Sequence, residues 1–218
     1  LPSFIISICF NRSVTNGGKS TLSQFLHQKI HNSCIIAQDT YFKDDCVVPV
    51  DSNGFKQYDT LDALHMEKMM KEVYCWRKDP HDFLRRRGLI AKDASTDDEL
   101  YVLIVEGFLI FNHRYKMPLN EMFDMRYFLE IPYDICKKRR SMRVYAPPDP
   151  PNYFDGYVWP MYIQNRKEME IITSEIGERT SKMYEQHIDF YRYFYDNGNL
   201  PFSDDNSTDF IALNLVNI

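Results

Sequence analysis

The residues with the clearest chemistry are the last four of the stretch SVTNGGKS, which are Gly17, Gly18, Lys19 and Ser20. They complete the pattern G-x-x-x-x-G-K-[ST], in which backbone N–H groups surround phosphates, the lysine meets their oxygens and the hydroxyl holds Mg²⁺. Ser13 stands where this pattern has its first glycine, so it must avoid positive φ or the loop must shift. We predict a phosphate-binding loop, with a Gly-Gly turn before an ordinary helix as the alternative.

Two carboxylates, Asp39 and Glu106, each end a predicted strand, in the stretches SCIIAQD and LYVLIVEG. In a parallel sheet both would lie near the phosphates held by the loop, because ligands bind at the carboxyl ends of the strands. One is expected to act as a base towards an attacking hydroxyl and the other as a ligand of Mg²⁺. The alternative is that each only caps the element that follows it.

A basic run, KKRRSMR, covers residues 137–143. On a helix Arg139, Arg140 and Arg143 share a side and could clamp a transferring phosphoryl group. A solvated helix face, or a patch for nuclear localisation or nucleic acid, is the alternative. The other basic run, Arg85–Arg87, is expected to be solvated surface.

Tyr58, Asp59 and Tyr145 have the chemistry to bind a nucleoside. Two tyrosines can hold a flat heteroaromatic ring between them while a carboxylate accepts hydrogen bonds from two ribose hydroxyls. The chain has 15 tyrosines, so either ring taken alone is more simply explained as core or surface filler.

The elements that position these residues alternate between strands and helices. Apolar patterns predict strands at 4–9, 33–39, 100–107 and 125–132, and helices at 19–30, 61–76, 132–143 and from about residue 161. The charged residues 77–99 are expected to form a surface excursion. This order predicts an α/β fold with a mostly parallel sheet.

Bulk composition limits the classes of function. A chain of 218 residues is long enough for one well-buried core, and a net charge of -5 argues against nonspecific nucleic-acid or membrane binding. Five scattered cysteines without a C-x-x-C pair favour reduced thiols in a cytosolic or nuclear compartment. The apolar start LPSFIISICF indicates a strand rather than a signal peptide, and no run is long enough to span a membrane.

Longer blocks carry a resemblance to a known family, from about Phe4 to Glu170. They are TNGGKSTL, QDTYFK, NGFKQYD, LIVEGFLIFN, YFLEIPYDICKKRRSMRVYAPPDPP and YFDGYVWPMY. Together they resemble the nicotinamide riboside kinases, most nearly the vertebrate second form. The resemblance implies a P-loop, nucleoside-monophosphate-kinase-like three-layer fold. It also implies a cytoplasmic or nucleo-cytoplasmic enzyme that uses Mg²⁺ and ATP to convert nicotinamide riboside to nicotinamide mononucleotide for NAD synthesis.

The same resemblance implies roles for individual residues. Catalysis falls to Lys19, Asp39 and Glu106, with Asp39 as the base towards the ribose 5′-hydroxyl. The residues implied for the metal are Ser20, Asp39 and Glu106. Those implied for ATP are Ser13, Val14, Thr15, Asn16, Gly17, Gly18, Lys19, Ser20, Thr21, Arg139 and Arg143. Those implied for the riboside are Asp39, Thr40, Tyr41, Phe42, Tyr58, Asp59, Arg140, Tyr145 and Ala146.

The chain departs from this family at three places. CFNRS lengthens the approach to the loop and brings in Ser13, and Thr40 replaces a second acidic residue. After residue 170 we predict an atypical helix and a loosely ordered tail, 171–218, in place of the usual last strand that would follow the kinase domain at 1–170. A uridine-kinase-like nucleoside kinase and a riboside-binding or scaffold protein without turnover are the alternative functions.

Overall fold

One five-stranded sheet organises the residues that the computed structural model describes, which are 4–11, 17–89, 100–112, 114, 122–129, 131–145, 148–176 and 215–217. The strands are β1 (Phe4–Asn11), β2 (Ser33–Ala37), β3 (Leu100–Gly107), β4 (Met125–Leu129) and β5 (Leu215–Asn217). Their order is β2-β3-β1-β4-β5, with the first four parallel and β5 antiparallel to β4. The predicted α/β fold with a mostly parallel sheet is confirmed.

The helices lie on both faces of this sheet. They are α1 (Lys19–Lys29), α2 (Met66–Lys78), α3 (Pro80–Arg86), α4 (Tyr133–Ser141) and α5 (Trp159–Ile176). Successive side chains of a strand point to opposite faces, and β3 shows this clearly. Val102 and Ile104 pack in one apolar cluster with Leu22 and Leu26 of α1. Leu103 and Val105 belong to the cluster that contains residues of α2 and α3. The fold therefore has three layers, with the sheet between two layers of helices.

The register of β3 aligns the ends of three strands. Glu106 pairs with Ala37 of β2 on one side and with Phe10 of β1 on the other. Strand β3 is buried from Tyr101 to Gly107, as expected for an inner strand of a parallel sheet. The ends of β1, β2 and β3, and the residues that directly follow β2 and β3, therefore all lie at the same edge of the sheet.

The predictions for residues 61–99 are partly wrong. Leu61–Ala63 forms a separate 3-10 turn and α2 begins only at Met66, because Leu64 forms an isolated antiparallel bridge with Phe42. Residues 80–86 form α3 rather than a surface excursion, and its Leu84 is fully buried in the core. Arg85–Arg87 are exposed, as predicted.

The C-terminal part also differs from the prediction. A π-helical turn, Phe154–Val158, leads directly into α5, which begins at Trp159 rather than near residue 161 and continues past residue 170. The short strand β5 lies within the predicted tail, and residues 177–214 lie outside the described part of the chain. The domain boundary at residue 170 stays a prediction. None of the helices described here is long and apolar enough to cross a membrane.

Candidate active site

The site is built first from the start of α1. Gly18 caps this helix with φ 88° and ψ 9°, a left-handed conformation that glycine adopts without the penalty a side chain would bring. Among the described residues, no side chain forms a hydrogen bond that caps this end. The first N–H groups of α1, together with the positive end of the helix dipole, make a binding site for an anion such as phosphate. Ser13, Val14, Thr15 and Asn16 lie outside the described residues.

Glu106 faces this helix from the end of β3. The hydroxyl of Ser20 donates a hydrogen bond to its Oε2 over 3.0 Å, and the residue is 5% exposed. Burial raises the pKa of Glu106, the positive charge of Lys19 and the Ser20 hydrogen bond oppose this rise, and the charge of Asp39 adds to it. Lys19, Ser20 and Asp39 thus all act on the Glu106 carboxyl, by charge or by a hydrogen bond.

The oxygens of Ser20 and Glu106 suit Mg²⁺, which prefers hard oxygen ligands and uses one or two carboxylates together with substrate phosphates. Within the described ranges no group of three or more His, Cys, Asp or Glu side chains could hold a metal by itself. The donor set therefore fits a cation that arrives with phosphates, and does not form a closed protein cage.

Asp39 does not end a strand, so that prediction is wrong in detail. Strand β2 stops at Ala37, and Asp39 lies in the 3-10 turn Gln38–Tyr41 that follows it. The hydroxyl of Thr40 donates to the carbonyl of Ala37 over 2.8 Å and closes this turn. The turn leaves Asp39 exposed at the same edge of the sheet as Glu106.

The next two predicted riboside residues, Tyr41 and Phe42, both pack against the main apolar cluster. Tyr41 packs against the core, and burial together with its hydrogen bond to Glu72 raises the pKa of its hydroxyl. Phe42 stacks on Phe108 with ring centroids 5.6 Å apart and meets the ring of Tyr58 edge-on, also at 5.6 Å. The hydroxyl of Tyr58 donates to the Asp45 carboxylate, and burial and that contact raise its pKa to about 12.

Asp59 follows Tyr58 and is held by residues far along the chain. Its backbone N–H donates to the hydroxyl oxygen of Tyr157 over 3.0 Å, and its carbonyl accepts from the amide of Asn165 over 3.2 Å. Burial raises the pKa of the Asp59 carboxyl to about 7, and the positive charges of Arg140 and Lys19 oppose this rise. The charge of Lys19 therefore lowers the pKa of both Glu106 and Asp59, one carboxyl in each half of the site.

Two arginines, one near the end of α4 and one just after it, lie over aromatic rings. Arg140 binds Asp149 through two nitrogens, at 2.6 and 3.0 Å, and its guanidinium lies 4.7 Å from the centre of the Tyr145 ring. Arg143 lies 5.2 Å from the same ring, but α4 ends at Ser141, so the prediction that Arg143 shares a helix side with Arg139 and Arg140 is wrong in detail. Arg139 is half-buried, and its part in ATP binding stays a prediction. Ala146 lies outside the described residues.

Sequence reasoning missed several residues of this region. Gln38 is buried next to Asp39, Tyr157 and Asn165 hold the backbone of Asp59, and Asp149 engages Arg140. The only signal for Gln38 is a polar residue directly after an apolar strand. Tyr157 and Asn165 give no signal, because their partners lie about a hundred residues away in sequence.

The parallel sheet, the Gly-Gly-Lys-Ser turn at the start of α1 and the Ser20–Glu106 contact together define an α/β kinase of the P-loop type. No family model matches the chain. Human nicotinamide riboside kinase 1 is 46% identical to it over 176 residues, which are 81% of this chain and 83% of that protein.

Mouse nicotinamide riboside kinase 2 is 47% identical over 157 residues, which are 72% of this chain and 78% of that protein. A uridine kinase from Clostridium botulinum is 28% identical over 139 residues, which are 59% of this chain and 64% of that protein. The chain belongs to the nicotinamide riboside kinase family, and the two mammalian forms match it about equally.

Proposed function

We propose that this protein transfers the γ-phosphoryl group of ATP to the 5′-hydroxyl of nicotinamide riboside, which gives ADP and nicotinamide mononucleotide. Membership of the nicotinamide riboside kinase family supports nicotinamide riboside as the substrate. The structural observation that carries the proposal is the contact between Ser20 and Glu106 at the start of α1, with the charge of Lys19 beside it. This contact joins a phosphate-binding helix end to a carboxylate at the edge of the sheet.

On the phosphate side, the N–H groups after Gly18 would bind the phosphate oxygens of ATP, and Lys19 would offset their negative charge. Ser20 and Glu106 would hold Mg²⁺, which supplies positive charge to the phosphates when it is bound. Asp39 would complete this set from across the edge, directly or through water. The resemblance also implies that Thr21 and Arg139 bind ATP, and these roles stay predictions.

On the acceptor side, Asp39 would take the proton of the 5′-hydroxyl as that oxygen attacks. A bond forms between the hydroxyl oxygen and the γ-phosphorus, while the bond from this phosphorus to the bridging oxygen of ADP breaks. Arg140 and Arg143 would stabilise the charge on the transferred group. The exposure of Asp39 at the edge of the sheet supports this role, because a bound hydroxyl could reach the carboxylate there.

The riboside would lie against Asp59, which would accept hydrogen bonds from two ribose hydroxyls, with the nicotinamide ring between Tyr58 and Tyr145. Tyr58 is bonded to Asp45, and Tyr145 lies under the guanidinium groups of Arg140 and Arg143. A nicotinamide ring on the face of Tyr145 that the arginines occupy would compete with their guanidinium groups. The riboside roles that the resemblance implies for four further residues stay predictions. These residues are Thr40, Tyr41, Phe42 and Ala146.

A reducing compartment agrees with this function. The four cysteines whose side chains the structure describes, Cys34, Cys46, Cys75 and Cys136, are free thiols. Disulfides are rare in the cytosol and nucleus, so these thiols support a cytoplasmic or nucleo-cytoplasmic location.

The direct test is a coupled ADP-release assay with Mg·ATP and nicotinamide riboside, with identification of the product by mass. Lys19→Met is the matched negative variant, because it keeps the length of the side chain and removes the charge. Uridine is the comparison substrate. We expect ADP release that depends on nicotinamide riboside, a lower kcat/KM for uridine and a loss of about a hundredfold or more in Lys19→Met.

Two results would contradict the proposal. A higher kcat/KM for uridine than for nicotinamide riboside would favour a uridine-kinase-like enzyme. Binding of the riboside in isothermal titration without any release of ADP would favour a binding or scaffold protein.

A further inference from the structure

Gln38 links three elements through one buried amide group. It is the first residue after β2, and its side chain is fully buried. Its Oε1 accepts hydrogen bonds from the backbone N–H groups of Phe108, over 2.9 Å, and Leu109, over 2.8 Å. Its Nε2 donates to the sulfur of Met66, the first residue of α2, over 3.3 Å. The amide therefore joins the end of β2, the turn after β3 and the start of α2.

The close approach of Gln38 to this turn requires a glycine at position 107. A Cβ atom added to Gly107 would lie 2.6 Å from Oε1 of Gln38 and 2.6 Å from Cγ1 of Ile110. Contacts this short do not occur at real Cβ atoms, so a side chain here would push the amide away from the turn. Gln38 and Gly107 thus form one packing unit.

Each member of this unit is next to one carboxylate of the candidate site along the chain. Asp39 follows Gln38 directly, and Glu106 precedes Gly107 directly. We infer that Gln38 is a positioning residue, which fixes the separation and orientation of Asp39 and Glu106 and does not itself touch the substrates. The inference rests on the proposed function. It predicts that loss of the amide changes the turnover step more than substrate binding, because a displacement of about 1 Å can cost up to a hundredfold in rate.

A merely structural role makes a different prediction. A residue that only stabilises the core lowers the melting temperature and leaves the kinetics of the folded enzyme almost unchanged. Val73 offers the matched control, because it is fully buried in the same apolar cluster of α2 and contributes no polar atom to the site. Val73→Ala removes apolar packing without a change in any side-chain hydrogen bond of Gln38.

The experiment compares the wild-type protein with Gln38→Met and Val73→Ala in steady-state kinetics, thermal unfolding and backbone amide exchange. Gln38→Met keeps the length of the side chain and replaces the carbonyl oxygen, the acceptor for both N–H groups, with a much weaker acceptor, a thioether sulfur. We expect kcat to fall about tenfold or more in Gln38→Met, with KM for ATP and for the riboside within about threefold of wild type. We expect faster exchange of the Phe108 and Leu109 amides in this variant alone. Should Gln38→Met not fold, Gln38→Asn replaces it, because its shorter amide cannot reach both N–H groups.

Three outcomes separate the possibilities. A kcat for Gln38→Met within about twofold of wild type, or no larger a fall in kcat than in Val73→Ala, overturns the positioning role. Unchanged exchange of the Phe108 and Leu109 amides overturns the contact on which that role depends. A wild-type protein that releases no ADP contradicts the proposed function instead, and the exchange measurement still tests the contact by itself.

Discussion

The two halves of the candidate site are held in place by different means. We call the ends of β2 and β3 with the start of α1 the sheet-end region, and residues 49–60 the hairpin region. In the sheet-end region, strand register sets Glu106 beside Ala37, and backbone N–H groups bind Gln38. The hairpin region has its own turn at Asp51 and a single bridge between Val50 and Lys56.

The hairpin region depends on individual side chains from remote helices. The backbone of Asp59 is held by Tyr157 and Asn165, and the hydroxyl of Tyr153 donates to the carbonyl of Lys56 over 2.8 Å. The phosphate half is thus set by the sheet, while the riboside half is set by a few polar contacts and by the packing of Phe55 on Tyr153. We therefore expect substitutions in the sheet-end region to change turnover and substitutions in the hairpin region to change riboside binding.

The largest expected effect is on the base. Asp39→Asn removes the proton acceptor and keeps the size of the side chain, so kcat should fall by about 10²- to 10⁴-fold. Because Asp39 is exposed, the melting temperature should change little. Initial rates at saturating ATP and riboside, together with a thermal scan, measure both quantities.

Asp44→Asn is the matched control, since Asp44 is an exposed carboxylate in the same segment. A similar fall in kcat for both variants would show that net charge, rather than a specific base, controls the rate.

The next effect concerns pH and the hairpin region. With a pKa of about 7, Asp59 gains its charge as the pH rises from 6 to 8, so KM for the riboside should fall over this range in the wild-type protein. In Asp59→Asn the KM should be about tenfold or more higher at pH 8 and nearly independent of pH. Steady-state kinetics at fixed ATP measure it. The control Asp62→Asn, at an exposed site nearby, should keep the wild-type profile.

The stability of the folded protein should fall as the pH rises, whereas riboside binding should become stronger. The folded protein holds the Asp59 proton more tightly than the unfolded chain, because the folded pKa is raised from 3.8 to about 7. Its contribution to the free energy of unfolding therefore decreases as the pH rises from about 4 to about 7 and stays low above that. Asp59→Asn should melt at a higher temperature than wild type at pH 8 and at about the same temperature near pH 4. An equal difference at both pH values would contradict the raised pKa.

A smaller effect is expected at Tyr157. Tyr157→Phe removes the acceptor for the N–H of Asp59 and keeps the ring, so KM for the riboside should rise about threefold to tenfold with little change in kcat. Tyr153→Phe is the paired variant, because the two rings stack with centroids 5.2 Å apart while the Tyr153 hydroxyl bonds to Lys56 instead. If both variants raise KM equally, the hairpin responds as one body and the specific contact to Asp59 has no separate role.

The smallest effect is expected outside both regions. Lys137 forms an ion pair with Asp155 over 2.6 Å, and both side chains are largely exposed. Lys137→Met should leave the free energy of unfolding almost unchanged, because water screens an exposed ion pair, and it should leave kcat and both KM values within about twofold. Urea unfolding and steady-state kinetics measure these quantities. A large rise in KM for the riboside would show that α4 also contributes to riboside binding.

The sheet-end region was largely predictable, and the hairpin region was not. An apolar run that ends in a carboxylate places Glu106, and the glycine pair before Lys19 places the start of α1. Asp39 was displaced from its predicted strand end because the 3-10 turn closed by Thr40 depends on local hydrogen bonds. Helix α3 was missed because Leu84 stands among charged residues in the sequence, which hides its burial. The contacts of Tyr157 and Asn165 were missed because they join segments that are remote in sequence.

The position of β1 has a consequence for the synthesis of this chain. Strand β1 lies between β3 and β4, and its pairing runs from Phe4 with Leu100 to Asn11 with Gly107. Ribosomes add about 5 to 20 residues per second, so the first strand waits about 5 to 20 s before its first neighbour emerges. An apolar strand without a partner for that time is open to aggregation, and the nascent chain is therefore expected to need chaperone protection until β3 is made.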